Sequence, residues 1–371
     1  MHHVMGDLRL GGMAIRYSQF VPKLYNYCLS LGFERNRMMP SRAFCSDESQ
    51  GYPVILLTQH FGTFPFDHGR VGGKVATDRH GPHAHHGEDL VIIQASHVGY
   101  DADRRRFGVY RRQRTAHGEF GANCGKLSAV LDWYQEEYNR ARSDVQLGSV
   151  EGTRAVFIDN ALLDPRRSEG LFLNFDQLID PAQPAPLRVL STSKAFTLSP
   201  SLSATLTEAG PRGVKRPIGD LLSAEMFCFR REPVVGPEGH DLLEEAIAPV
   251  MPALVTSANP ALDAARYHTQ IEFDRTYRSI QREPAYHGKN VLFVSGLNVD
   301  VSPCGGLLFP LTKFVPWAAY ARLRDGTTFL LEQDALFEAL LAQPVENGDQ
   351  ISFDLAIETM AGLESIELPL V

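Results

Sequence analysis

Apolar positions recur at helical spacing over residues 13–32, which predicts an amphipathic helix near the start of the chain. Residues 52–58 (Tyr-Pro-Val-Ile-Leu-Leu-Thr) and 90–96 (Leu-Val-Ile-Ile-Gln-Ala-Ser) are unbroken, largely apolar runs of strand length, and each predicts a buried strand. Leu127, Val130, Leu131 and Tyr134 return to helical spacing directly after Cys124. Strand-like runs at 154–158, 171–173 and 291–295 and helix-like stretches at 242–250, 317–323 and 336–341 continue the alternation. That alternation is the signature of an α/β protein.

Pro181, Pro184, Pro186, Pro200 and Pro211, set among Ser and Thr, mark residues 181–217 as a linker or covering loop. The expected domains are therefore 1–180 and a C-terminal α/β region over 218–371. That second region reads either as a degenerate repeat or as part of the first domain. Residues 86–93 (His-Gly-Glu-Asp-Leu-Val-Ile-Ile) line up with 287–294 (His-Gly-Lys-Asn-Val-Leu-Phe-Val), a register that sets Asn298 opposite His97. Coincidence is the alternative to a duplication.

With 371 residues, 44% of them hydrophobic, the chain can bury a large core. A formal net charge of −8 argues against a nucleic-acid partner, so Arg104-Arg105-Arg106 and Arg111-Arg112 read as a solvated basic face. No run reaches the ~18 apolar residues of a membrane span, and no signal-peptide or transit pattern opens the chain. Five widely spaced cysteines fit a reducing compartment, and the expected location is cytoplasmic. Gly72-Gly73 and Gly305-Gly306 read as turns, because no phosphate-binding glycine motif accompanies them.

Cys45, His97 and Cys124 are the candidate metal ligands. Cys45 precedes an acidic pair, His97 closes a predicted strand, and Cys124 stands at a predicted helix N-terminus, where the dipole favours a thiolate. Two thiolates and an imidazole suit Zn2+, and three protein ligands leave the fourth tetrahedral position for water, the arrangement of a catalytic rather than a structural site. Read singly, each of these residues is equally at home in a core. Cys28, Cys228 and Cys304 carry no metal assignment. Eight of the 13 histidines lie between His60 and His117, four of them within 80–86, a tract that reads as a solvated loop with metal binding as its rival.

Four short segments taken in order resemble the limiting-CO2-inducible B/C family, the theta-class carbonic anhydrases, which look like relatives of the beta-class enzymes. They are Cys45-Ser46-Asp47-Glu48, Phe61-Gly62-Thr63-Phe64-Pro65-Phe66, Ala95-Ser96-His97-Val98-Gly99 and Asn123-Cys124-Gly125. The resemblance covers roughly the first half of the chain. It implies a beta-carbonic-anhydrase-like sheet, zinc held by Cys45, His97 and Cys124, and reversible hydration of CO2 to bicarbonate with Asp47 as a catalytic carboxylate. It also implies a homodimer.

Beta-class enzymes restrain the equivalent Asp with an Arg two residues on, whereas Ser49 stands there in this chain. Arg70 is the preferred substitute and Arg42 the second. Phe61, Phe64 and Phe66 are candidates for an apolar substrate pocket, with ordinary core packing as the other reading. His60 and His68 are candidates for proton shuttling. The rivals to a carbonic anhydrase are a non-catalytic family member that binds zinc or inorganic carbon and acts through a partner, and a zinc hydrolase with a different pocket.

Overall fold

The computed structural model describes residues 8–70, 74–75, 89–111, 120–206, 214–232, 240–302 and 311–363. The 80–86 histidine tract, Gly72-Gly73, Gly305-Gly306, Cys304 and Arg112 fall outside them, as does the side chain of Arg70.

The chain folds as two compact units, Met1–Cys124 with Ala265–Val371, and Gly125–Ala264. This corrects the sequential division at 180 and 217. Residues 181–217 are not a linker, because Arg188–Val189, Ser193–Thr197 and Arg216–Pro217 are strands of the second unit's sheet. That sheet has five antiparallel strands and takes its central pair from Val145–Val150 and Thr153–Asp159. Pro181, Pro184 and Pro186 lie in the stretch before Arg188–Val189 and Pro200 opens the short helix Pro200–Thr205, where proline is tolerated, while Pro211 falls outside the described residues.

The first unit is built on a mixed sheet. Its elements in chain order are β1 (Ile15–Arg16), α1 (Tyr17–Ser30), β2 (Met38–Ala43), α2 (Gly51–Phe61), β3 (Phe66–Asp67), β4 (Asp89–Asp101), α3 (Pro260–Arg282), β5 (Val291–Val301), β6 (Leu311–Arg322), β7 (Thr328–Leu331) and α4 (Gln333–Leu341). The sheet runs β1-β6-β5-β4-β2-β3, with β7 also on β6. β5, β4, β2 and β3 are mutually parallel, and β6 is antiparallel to β5.

The long apolar runs of β4 and β5 follow from their position, since a parallel strand covered on both faces has no polar side to show. Val91, Ile93 and Ala95 of β4 and Leu292 and Val294 of β5 pack into one core with Phe20, Leu24, Leu57, Leu336 and Leu340 of α1, α2 and α4. On the opposite face, Phe293 stacks on Phe273 of α3 at 5.2 Å and Ser96 Oγ lies 2.8 Å from His268 Nδ1. Asp89 and Asn290 tie the two strand starts together, Asn290 donating to both carboxylate oxygens at 3.0 and 2.9 Å.

Two predicted elements change type. Residues 52–58 lie in α2, where Pro53, Leu56, Leu57, His60 and Phe61 form a helical buried stripe, and Gly62 at φ +73° stops the helix. Residues 317–322 belong to β6 rather than to a helix. Their alanine-rich composition favours a helix, but pairing with β5 and β7 overrides that preference. Among the described residues, no helix is long and apolar enough to cross a membrane.

Candidate metal centre

Cys45 lies two residues beyond the end of β2, His97 lies within β4, and Cys124 immediately precedes the helix Gly125–Asp144. The last β2–β4 pair is Ala43↔Gln94, so the chain leaves the sheet where β4 carries His97 onward. Cys124 reaches the same place because β4 has a glycine there. A Cβ on Gly99 would stand 2.7 Å from the Val109 carbonyl oxygen and 3.0 Å from Asn123 Cβ, and Gly99 N–H donates to the Asn123 carbonyl at 2.9 Å. Only a residue without a side chain lets the Asn123-Cys124 segment approach so closely.

The three residues are buried, and their ligand atoms lie within 4.8 Å of one another. The two sulfurs are 3.8 Å apart. Two Zn–S bonds of about 2.3 Å at a tetrahedral angle require nearly that separation, roughly 3.8 Å. His97 Nε2 has no hydrogen-bond partner, although the residue is 1% exposed. A buried, unsatisfied ring nitrogen is costly unless something ligates it.

The surroundings favour positive charge at this point. Burial penalises a charged His97 ring, yet Asp300 and the two thiols outweigh that penalty and hold the group well above the ordinary histidine range. The Cys124 thiol is pushed up to about 12 by its hydrogen bond with Cys45 and by burial, against the opposing pull of His97. A divalent cation would displace these protons and leave a neutral centre of two thiolates and one metal. The donor set, the sulfur spacing and the orphaned nitrogen all fit zinc.

The sequence reading missed the support behind His97. Asp300 of β5 is fully buried, and its Oδ2 accepts from His97 Nδ1 at 2.9 Å, Ser49 Oγ at 2.8 Å and Gln50 Nε2 at 2.8 Å. Its Oδ1 accepts from the Thr312 hydroxyl at 2.9 Å. Asn123 Nδ2 donates to Ser49 Oγ at 3.0 Å, joining the Cys124 segment to the same network. The available signal was an acidic residue inside the apolar run of β5, where a charge survives only with partners.

No protein-family model and no curated protein matches the chain. Among solved structures it is similar to PtLCIB4, a homolog of the limiting CO2-inducible protein LCIB, with TM-score 0.51 and 12% identity over 86% of this chain and 95% of that one. It is also similar to a histidine-to-alanine mutant of PtLCIB4, with TM-score 0.50 and 11% identity over 86% of this chain and 93% of that one. The chain has the LCIB fold.

Asp47 follows Cys45 by two residues and is half-buried. Burial and a hydrogen bond with Glu48 raise its carboxyl to about 7, with His97 pulling the other way. Tyr110 donates to Glu48 at 2.6 Å. Ser49 turns inward to Asp300, so the position that carries Arg in the beta-class pattern is occupied by a member of the His97 support.

Arg42 is ion-paired with Asp67 at 2.7 Å. Arg70 lies in a short strand, Gly69–Arg70, paired with Lys74–Val75.

The aromatic pocket and the proton shuttles are corrected. Phe61 is a core residue packed edge-on to Tyr25 at 5.3 Å, while Phe64 and Phe66 are 73% and 45% exposed, so the three do not line one cavity. Gly62 ends α2 between them and sends the chain outward. His60 and His68 are buried, not solvent-facing. His60 takes a hydrogen bond from Asn347 at its carbonyl, and His68 pairs with Ser41 and is pushed down to about 4 by burial, with Arg275 and Arg42 adding to the effect.

Proposed function

We propose that this chain binds zinc through Cys45, His97 and Cys124 and interconverts CO2 and bicarbonate. The observation that carries the reading is the convergence of two thiols and an unpaired imidazole nitrogen in a buried cluster on an LCIB fold. Bound zinc supplies Lewis acidity that brings the pKa of a water from about 15.7 to about 7, so that a nucleophile exists at neutral pH.

The chain's own residues do the rest. Cys45, His97 and Cys124 would hold the ion, and the two thiolates would balance its charge. Asp47, half-buried and two residues from Cys45, would accept a hydrogen bond from a water at the site and take up a proton there. The substrates are the small molecules CO2 and bicarbonate, with no nucleic-acid or membrane partner. The assembly is a homodimer and the location cytoplasmic.

A second reading rests on Ser49. Position 49, which carries Arg in the beta-class pattern, is a serine committed to Asp300 and supplies no guanidinium, which favours a non-catalytic zinc protein acting through a partner. Zinc content and stopped-flow CO2 hydration, measured on the native chain and on Cys45→Ala and Asp47→Ala, separate the two. Hydration lost in both variants supports the enzyme, and stoichiometric zinc without hydration in the native chain selects the binding role. Hydration that survives Cys45→Ala rules out the ligand set. Sedimentation of the native chain tests the homodimer.

A further inference from the structure

Asp300 is a fully buried carboxylate whose four described hydrogen-bond partners are all side chains. A carboxylate taken out of water this completely is retained only where the groups around it satisfy it and it satisfies them in return. Ser49, Gln50 and Thr312 are uncharged donors, and His97 is the one titratable group among the four. Three donors thus hold the carboxylate, and the carboxylate holds the ring.

The hydrogen bond fixes chemistry as well as position. A carboxylate oxygen accepts, so the Nδ1 it contacts keeps its proton, and Nε2 is the ring atom that offers a lone pair when a metal takes the place of its proton. Nε2 is the ring atom without a partner. Metal-ligating histidines are commonly oriented by a carboxylate at the second nitrogen, and loss of that partner costs about 10–100-fold in metal affinity. The strand pairing explains the reach. Asn298 is the lateral partner of His97, and Asp300 lies two residues further along β5, on the same side of the sheet as Asn298.

We infer that Asp300 is the positioning residue of the metal centre, buttressed by Ser49, Gln50 and Thr312 so that His97 offers Nε2 to a divalent ion between Cys45 and Cys124. The inference rests on the zinc reading above.

The test is zinc affinity, measured by competition with a chromophoric chelator on the native chain, Asp300→Asn and Thr312→Val. Nitrogen-15 NMR of His97 in the zinc-loaded native chain accompanies it. Asp300→Asn, which keeps the shape and removes the charge, should weaken zinc binding about 10–100-fold. Thr312→Val, which removes one of the buttressing bonds, should weaken it by a smaller factor. NMR should show zinc on Nε2 and a downfield Nδ1 proton in the native chain. A folded Asp300→Asn that binds zinc within twofold of native overturns the role of Asp300 and leaves the metal centre standing, as does a proton found on Nε2. A native chain that takes up no zinc overturns both readings.

Discussion

Asn298 stands beside His97 in the parallel pairing of β4 and β5, yet its side chain is turned to Tyr17 and Gln50. The Tyr17 hydroxyl donates to Asn298 Oδ1 at 2.7 Å, and Asn298 Nδ2 donates to Gln50 Oε1 at 2.6 Å. Gln50 passes the connection on to Asp300, so α1, β5 and the turn after Cys45 are joined through one buried polar chain. The register drawn from the echo between residues 86–93 and 287–294 is the register in which the two strands lie side by side. Where one strand carries a candidate ligand, its neighbour carries a residue that supports it.

Asn298→Ala should therefore destabilise the fold without removing a ligand. The Tyr17 hydroxyl and the Gln50 carbonyl would each lose a partner in a region closed to water, at about 1–3 kcal/mol apiece. Urea unfolding should show a loss of roughly 2–6 kcal/mol. A change below about 0.5 kcal/mol, typical of a surface substitution, would mean that the chain of hydrogen bonds is energetically idle.

Gly99→Ala probes the approach of Cys124. The added methyl would meet backbone and Cβ atoms rather than the end of a flexible side chain, so the Val109 and Asn123 segments must move. Displacing Asn123 moves Cys124 with it. The expected result is a zinc affinity lowered at least tenfold, together with a stability loss of about 1–3 kcal/mol from overpacking. A variant that binds zinc as the native chain does would show that the segment has room to yield.

The Cys45, His97 and Cys124 cluster and the two central strands were legible in the sequence because each depends on local pattern. β4 and β5 are continuous apolar runs since both of their faces are covered; Cys45 and Cys124 stand just outside readable elements, and His97 follows the readable apolar part of β4, which continues to Asp101. Residues 52–58 misled because a seven-residue apolar run fits a strand and a buried helix equally well. Gly62, four residues on, was the stop signal that decides for the helix. Asp300 was hidden for a different reason: its partners Ser49, Gln50 and His97 are 251, 250 and 203 positions away. No periodicity reports a contact of that length.

Zinc should stabilise the fold by mass action. At free zinc about 100 times its dissociation constant, the unfolding free energy should rise by roughly 2.7 kcal/mol, and a chelator should reverse the gain. Cys124→Ser should show no such shift. Because the thiols must give up their protons to ligate, uptake should release protons and the apparent affinity should fall as the pH is lowered. An affinity that does not vary between pH 8 and pH 6, titrated at about those two values, would mean that the thiols are not the ligands.

His68 should make the fold sensitive to acid. In the folded chain it is 3% exposed, paired with Ser41 and pushed down to about 4, whereas an exposed histidine titrates near 6.5. Between those values the unfolded chain binds a proton that the folded chain refuses. Stability is therefore fully present above about pH 6.5 and is lost as the pH falls toward 4, by at most about 1.4 kcal/mol per pH unit and about 3 kcal/mol in all. His68→Asn retains a group able to meet Ser41 and cannot titrate. The stability difference between the native chain and this variant, followed by urea unfolding across that range, should shift against the native chain as acid is added and should be constant above neutrality. A difference that stays flat through the whole range would show that His68 takes up its proton as readily folded as unfolded.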